Sequence, residues 1–279
     1  MRKFLTWLIL AFAEFATSVL GPTKRIQVRV RVRDRLEADL PVSTRWGRIL
    51  FCDISNRTFA RLRCYRDYEP DMLCWLDAMP ENGRLWDIGG NLGTFTLYAA
   101  FRLKGEGVRV VAFEPGASSY AALNRNIEQN GMANHVVAYC IALADSTRVD
   151  RLNMPATWAG GDFNGFGTEI SVLDQAIDTK FRQGAVGFAI DDFVDLFTPP
   201  LPTHVKLDVD GIEAEILRGG RRTLSAESVQ SMIVEIEGDL NSDRNREIFY
   251  LMAELGFSAR SKANPAHRNV VFDKNGKPF

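Results

Sequence analysis

Between Arg84 and Ile141, short apolar runs alternate with amphipathic helical stretches, and this rhythm constrains the fold more than any other feature of the chain. Arg84 to Ile88 reads as a strand and Gly89-Gly90-Asn91-Leu92-Gly93 as a turn. Thr94 then caps a helix that turns Phe95, Tyr98 and Phe101 inward. Val108 to Phe113 is the next strand, closed by Glu114-Pro115. A helix follows from Ser118 to Asn130, with Tyr120, Leu123 and Ile127 inward and Asn130-Gly131 as its stop. Val136 to Ile141 is the third strand. Such a β-α-β-α-β run demands a parallel sheet with right-handed crossovers. Residues 146–190 break the rhythm, with Gly160, Gly161, Gly165 and Gly167 clustered near Trp158, Phe163 and Phe166. They read as an irregular excursion with strand pieces, a lid over the site being one option. After Pro199, Pro200 and Pro202 the rhythm returns. It gives a strand at His204 to Asp208, a helix at Ile212 to Leu217, a strand at Ser231 to Ile236 and a helix over 243–255. Residues 257–272 read as a hairpin, Phe257 to Ser261 and Val270 to Phe272, around a turn with Pro265.

Composition sets the outer limits. With 46% hydrophobic and 25% charged residues over 279 positions, the chain is not disordered, collagen-like or a multi-pass membrane protein. The net charge of −1 hides an asymmetry: residues 1–66 hold 14 Lys/Arg and 5 Asp/Glu, the remainder 20 and 30. A basic head on an acidic body suggests docking in one part and chemistry in the other, or simply a solvated basic surface. Three segments follow: an apolar stretch at 1–20, a basic, β-rich extension at 21–70 and a main domain at 71–279, whose first helix is Asp71 to Met79. In the first, Arg2 and Lys3 precede an apolar run from Phe4 to Ala13, broken by Thr6 and ended by Glu14. That run is too short to span a bilayer. Its readings are a secretory signal cut near Ala11-Phe12-Ala13, a helix packed on the domain, and a helix lying on a membrane surface. In the second, Ile26, Val28, Val30 and Val32 alternate with Arg25, Arg29, Arg31 and Arg33, which predicts a half-buried strand over 25–33 with a basic outer face. No aromatic platform is interleaved, so nucleic acid is a minor option, while residues 1–35 offer a membrane surface contact. Cys52, Cys64, Cys74 and Cys140 have no C-x-x-C spacing and there are three histidines, His135, His204 and His267. Zinc sites of the usual kinds are disfavoured, and reduced thiols fit a cytoplasmic setting.

In an open parallel sheet a ligand lies beyond the carboxyl ends of the strands, where strand order reverses. The residues to read there are Asp87 to Gly93, Glu114-Pro115, Ile141-Ala142-Leu143, Asp208-Val-Asp210-Gly211 and Glu235-Ile-Glu237. Gly89, Gly90 and Gly93 permit a sharp turn into a helix whose free N–H groups suit a carboxylate or phosphate. The loop lacks G-x-G-x-x-G, because Asn91 replaces the second glycine, and it lacks a following Gly-Lys-Ser/Thr. Asp87, ahead of it, would repel a pyrophosphate but hold an ammonium group directly or through water. Glu114 can accept hydrogen bonds from two ribose hydroxyls. A ligand with an amino-acid end and a nucleoside end is implied, and S-adenosylmethionine fits.

Asp87-Ile-Gly-Gly-Asn-Leu-Gly-Thr94, Phe113-Glu-Pro115, Leu123-Asn-Arg-Asn126 and Val205-Lys-Leu-Asp-Val-Asp-Gly-Ile-Glu213 together resemble the FkbM-type S-adenosylmethionine-dependent methyltransferases. Ile190-Asp-Asp-Phe193 and Ile216-Leu-Arg-Gly219 also suit that pattern. The resemblance covers roughly residues 83–272, its blocks falling in order at strand ends. It implies an α/β class I methyltransferase fold, Rossmann-like: a mostly parallel seven-stranded sheet with a C-terminal antiparallel hairpin and helices on both faces. It also implies O-methylation of a hydroxyl on a sugar, glycan or polyketide-like product. Carried over by position, Asp87, Gly89, Gly90, Asn91, Gly93 and Thr94 surround the methionine part. Glu114, with Pro115, takes the ribose, Ala142 and Leu143 the adenine edge, and Asp208 sits near the methyl transfer. Asp210 departs from the family's usual glutamate, and residues 1–70 lie outside the resemblance.

A sulfonium is already electrophilic, so the protein must align an acceptor oxygen and help remove its proton. Asp208 and Asp210 are the candidate bases with Lys206 as partner, and Glu213 and Glu235 follow. An acid such as Asp210 at a helix start is equally explained by capping. Acids at adjacent strand ends would suit a divalent metal such as magnesium, a secondary option. His204 reads as structural, and Trp158, Phe163 and Phe166 either line the acceptor pocket or pack the loop. A nicotinamide-dependent oxidoreductase and a cofactor-binding module without turnover are the rival functions; Asn91 and the closing hairpin count against the oxidoreductase.

Overall fold

The computed structural model describes residues 2–36, 39–52, 55–103, 105–171, 175–260 and 269–274. The chain divides into two compact units, Met1–Asp39 and Leu40–Phe279.

The first unit holds α1 (Arg2–Thr17) and α2 (Pro22–Leu36), joined by a turn in which Ser18 N donates to Phe15 O and Leu20 N to Thr17 O. The strand expected over 25–33 is therefore helix. An isolated alternating strand has no neighbour to take up its backbone groups, whereas a helix satisfies its own. Arginine and glutamine are good helix formers, and Pro22 is pre-organised for the first turn. Arg25 and Arg29, four residues apart, share one helical face, and both pair with Glu14 of α1. The extension is less β-rich than expected in a second respect. Only β1 (Leu40–Thr44) and β2 (Gly47–Phe51) are strands, an antiparallel hairpin, and the chain then turns helical as α3 (Asn56–Arg63), α4 (Tyr65–Tyr68) and α5 (Pro70–Ala78). This hairpin and these helices belong to the second unit, so the division falls at residue 39/40.

The core of that unit alternates as anticipated: β3 (Leu85–Ile88), α6 (Thr94–Arg102), β4 (Val110–Phe113), α7 (Ala117–Gln129) and β5 (Val136–Tyr139). The excursion is more regular than its sequence suggests. It contains β6 (Ala142–Ala144), β7 (Arg148–Met154), β8 (Gly165–Phe166) and β9 (Phe181–Ala189), hydrogen-bonded in the order β6-β9-β7-β8. The long antiparallel β7–β9 pairing, Arg148 opposite Gly187 through Met154 opposite Phe181, organises it. Next come α8 (Ile190–Phe197), β10 (His204–Leu207), α9 (Glu213–Gly219), α10 (Arg221–Leu224), β11 (Ser231–Glu235), α11 (Asp243–Glu254), β12 (Phe257–Ala259) and β13 (Asn269–Lys274).

The seven-stranded sheet runs β12-β13-β11-β10-β3-β4-β5. All pairs from β11 to β5 are parallel, and β13 pairs antiparallel with both β11 and β12, as the closing hairpin requires. The Pro265 turn lies outside the described residues. Strand order reverses at β3: the chain steps outward through β4 and β5, then returns to β10 on the other side. That switch point opens a crevice beyond the carboxyl ends of the strands.

Successive side chains of a strand face opposite ways, and the sheet uses both faces. In β4, Val110 and Ala112 join a core with Met72, Leu76, Leu97 and Leu123 from α5, α6 and α7, whereas Val111 and Phe113 join one with Phe193, Ile216 and Leu251 from α8, α9 and α11. Helices thus cover both faces, which explains why these strands read as continuous apolar runs. Among the described residues, no helix is long and apolar enough to cross a membrane.

Candidate active site

The turn after β3 is shaped first by the protein's own backbone. Gly89 has φ +82°, and a Cβ placed there would stand 1.8 Å from the Asp208 carbonyl oxygen. Only glycine fits, because the end of β10 crosses at that point. Gly93 has φ +93° and is itself the N-cap of α6, so Thr94 is the first helical residue and makes no capping bond. The expected cap is displaced by one residue because the left-handed turn is already completed by Gly93. The carbonyl of Thr94 instead accepts from the Tyr65 hydroxyl at 3.0 Å. Asn91 holds a positive φ of 50° without being glycine, a conformation asparagine tolerates better than most residues.

Beneath the loop lies an ion cluster. Lys206, 1% exposed, has its Nζ 3.0 Å from Asp87 Oδ1 and 3.2 Å from Asp208 Oδ2, and donates to the Gly89 carbonyl at 3.0 Å. The Thr96 hydroxyl donates to the other oxygen of Asp87. Burial works against the Lys206 ammonium, but Asp208 and Asp87 outweigh it and hold the charged form far above its ordinary range. Asp87 is fully buried in this cluster and is not among the cavity-lining residues. Its charge reaches the site through Lys206.

Above the loop is a cavity of about 470 Å³. Of the residues singled out in the sequence, Gly89, Gly90, Asn91, Thr94, Glu114, Pro115, Ala142, Leu143, Lys206, Asp208, Asp210 and Glu235 line it, drawn from five strand ends. Asp87, Gly93 and Glu213 do not. Phe163 and Phe166 line the wall, whereas Trp158 stands away from it, 57% exposed. His204 begins β10, buried against the Trp75 ring, and burial lowers its pKa to about 4. It is a neutral core group there.

Glu114 ties two turns together. Its Oε2 accepts from Asn91 N at 2.8 Å and its Oε1 from Gly116 N at 2.7 Å. Burial pushes its carboxyl up to about 7, against the pull of those two amides. Each oxygen keeps a second lone pair for a hydroxyl donor. The amides of Phe163 and Asn164 donate to Asp210 Oδ2 at 2.8 and 3.3 Å, which pins the loop before β8 to the end of β10. Burial, then the negative charge of Asp208, pushes Asp210 up to about 8. Glu235 is driven well above the carboxylate range by burial and by Asp208, so it carries a proton. Burial would raise Asp208 too, but Lys206 and the hydrogen bond from Glu235 hold it low and ionised. Glu213 folds back to accept from Gly211 N at 3.2 Å, and burial raises its pKa. This is a turn-stabilising role.

Sequence reasoning missed the opposite wall. Arg57, Arg61, Tyr65 and Tyr68 of α3 and α4 line the cavity. Asp162 pairs with both guanidiniums, with Arg57 at 2.7 Å and with Arg61 Nη1 at 2.8 Å. Two cations share one carboxylate. The basic pattern of residues 56–66 is the available signal, and assigning the stretch to a β-rich extension obscures it. Asn126 was quoted only as part of a motif. Buried, it donates to Leu92 O at 2.8 Å and accepts from Cys52 N at 2.8 Å, which fastens the glycine loop to the end of β2.

S-adenosylmethionine fits this lining. The side-chain oxygens of Asn91 and Asn164 are buried without a hydrogen-bond partner in the protein and belong to cavity-lining residues, so they can accept from an ammonium group. Glu114 presents free lone pairs at one strand end, and Ala142, Leu143 and Phe166 offer an apolar wall for a flat base. For a divalent metal the case is thinner: among the described residues, no group of three or more His, Cys, Asp or Glu side chains is arranged to hold one.

The chain is similar to known methyltransferases. A relative in Haloferax volcanii, described as the hexuronic acid methyltransferase AglP, is 26% identical over 198 residues, covering 71% of this chain and 73% of that protein. Among solved structures, an FkbM methyltransferase from Methylobacillus flagellatus superposes with a TM-score of 0.44 at 14% identity, covering 78% of this chain and 53% of that one. The chain thus spans about half the length of that structure. A precorrin-6y C5,15-methyltransferase from Geobacter metallireducens gives a TM-score of 0.42 at 14% identity, over 75% of this chain and 89% of that one. The methyltransferase FkbM domain matches residues 87–259, and the chain belongs to that family.

Proposed function

We propose that the protein transfers a methyl group from S-adenosylmethionine to a hydroxyl of a sugar or glycan, with an acidic sugar such as a hexuronic acid as the preferred acceptor. The observation that carries this reading is the distribution of charge around one cavity: Glu114 at one strand end, the Asp208–Asp210–Glu235 group at another, and Arg57 and Arg61 on the facing wall. The relative that acts on a hexuronic acid supports the acceptor class. Arg57 and Arg61 on that wall are guanidiniums that an anionic acceptor could draw from Asp162.

When bound, S-adenosylmethionine supplies an electrophilic methyl on a cationic sulfur. The protein's part is positioning and charge. Glu114 accepts from ribose hydroxyls, and Asn91 and Asn164 accept from the amino-acid ammonium. Asp208, kept ionised by Lys206, faces the cavity with the charge that both a sulfonium and an acceptor hydroxyl favour. It receives the acceptor proton as the oxygen loses it. Protonated Glu235 donates to Asp208 and steadies its orientation, and Asp210 holds the Phe163–Asn164 loop closed over the site.

Incubation of the full chain with isotopically labelled methyl donor and a panel of hydroxylated acceptors tests this. Label transferred to an oxygen of a uronic-acid-containing glycan is expected. Tight donor binding with no transfer to any acceptor would instead mark a binding module without turnover.

A further inference from the structure

The function proposed above leaves the first unit, residues 1–39, without a role. The large apolar side chains of α1 are exposed: Phe4, Leu5, Trp7, Leu8, Ile9, Leu10, Phe12 and Phe15 range from 42% to 78%. At about 100° per residue these positions point to all sides of the helix. A helix apolar all round is stable only when surrounded by apolar material. α2 next to it is basic, and residues 1–36 together carry eight Lys/Arg against two Asp/Glu. Its Ile26, Val30 and Val32 are also exposed, at 63%, 40% and 45%.

We propose that this helical pair docks the protein on the surface of an anionic lipid bilayer, α1 entering one leaflet and α2 lying at the level of the phosphates. Length argues for a surface position. The 16 residues of α1 rise about 24 Å, short of a hydrocarbon core about 30 Å thick. Charge argues the same way. Glu14 is the only acid within α1, and it is bonded to both Arg25 and Arg29, so α1 approaches lipid with its carboxylate paired. Phe4 and Trp7, stacked at 6.2 Å near one end of α1, are the residue types that settle at the headgroup boundary. Arginine stems bury their methylenes while the guanidiniums reach phosphate. A second copy of the chain is a poorer occupant, because it would bring two strongly basic surfaces together. An anionic bilayer answers the apolar and the basic surface at once.

The test is flotation of the full chain with vesicles of phosphatidylcholine alone or mixed with phosphatidylglycerol, at low and high salt. Binding to the mixed vesicles that weakens at high salt is expected. Arg29→Gln and Arg31→Gln should each lower affinity for mixed vesicles about fivefold. The pair Leu8→Glu and Phe12→Glu should abolish binding, with S-adenosylmethionine affinity unchanged as a check on folding. The proposal is overturned if the chain stays with the soluble fraction under both lipid compositions. It is equally overturned if the native N-terminus proves to follow Ala13, or if Leu8→Glu/Phe12→Glu converts a dimer to a monomer without altering flotation.

Discussion

Replacing Lys206 with methionine tests the electrostatic core of the site. The ammonium is 1% exposed and lies 3.0 Å from Asp87 and 3.2 Å from Asp208. Methionine fills nearly the same space, so the packing loss is small and the charge loss dominates. Removing one partner of a buried ion pair costs about 3–5 kcal/mol, because the remaining charge keeps its desolvation penalty. For a domain of this size, each kcal/mol moves the melting point by about 2–4 °C, so a fall of roughly 6–20 °C is expected. The sign of the pH dependence follows. Asp208 is held low in the folded protein by Lys206, which stabilises the fold above the unfolded carboxylate pKa and is lost as pH falls. Without Lys206, burial lifts Asp208 above its unfolded value. The folded state then prefers its protonated form, and the defect of the variant grows as pH rises above about 4. Adding Asp87→Asn to the variant should recover part of the loss, since one orphaned charge goes with it. Urea denaturation of the four proteins of the cycle across pH measures all of this. A Lys206→Met variant within about 1 kcal/mol of wild type at neutral pH, or a double variant no better than the single one, would refute the reasoning.

Other outcomes follow from the same geometry. Gly89→Ala places a Cβ 1.8 Å from the Asp208 carbonyl at φ +82°, whereas at Gly90 the nearest atom would be 3.4 Å away. Thermal denaturation should show a loss above about 3 kcal/mol for the first and within about 1 kcal/mol for the second. Because burial lifts Glu114 to about 7 and the ionised form is the better acceptor, donor affinity should rise with pH through that value and not fall. The same shift lowers fold stability as pH climbs from the ordinary 4.5 towards about 7, since the folded state holds this proton more tightly. Asp208→Asn should cut turnover by about 10²–10⁴-fold while changing donor affinity far less, as read by labelled-methyl transfer beside calorimetry.

Most of the sheet was legible because its strands are buried on both faces and the glycine turn, Glu114 and the Asp208–Glu213 stretch punctuate it at the carboxyl ends. Residues 25–33 were not, because alternation at period two measures a face only when a neighbouring strand exists to define one. The regularity of the excursion was hidden for the converse reason: β7 and β9 pair across 26 intervening residues between Met154 and Phe181, a contact no local pattern records. In the site, the strand-end acids could be located but not their division of labour. Asp87 turns inward to Lys206 because Gly89 brings the β10 end close, and that crossing is a tertiary fact. Arg57 and Arg61 reach the cavity only because α3 is a helix, which places them four residues apart on one side.

The central claim is that this cavity grips an S-adenosyl ligand through Glu114, and isothermal calorimetry of wild type and Glu114→Gln tests it most directly. The amide keeps an oxygen for one of the two backbone N–H groups and removes the charge, so the fold survives. S-adenosylmethionine should bind wild type in preference to NAD, and the variant should lose about 1–3 kcal/mol of that affinity. Equal affinity in the two proteins, or tighter binding of NAD by the wild type, would contradict the account.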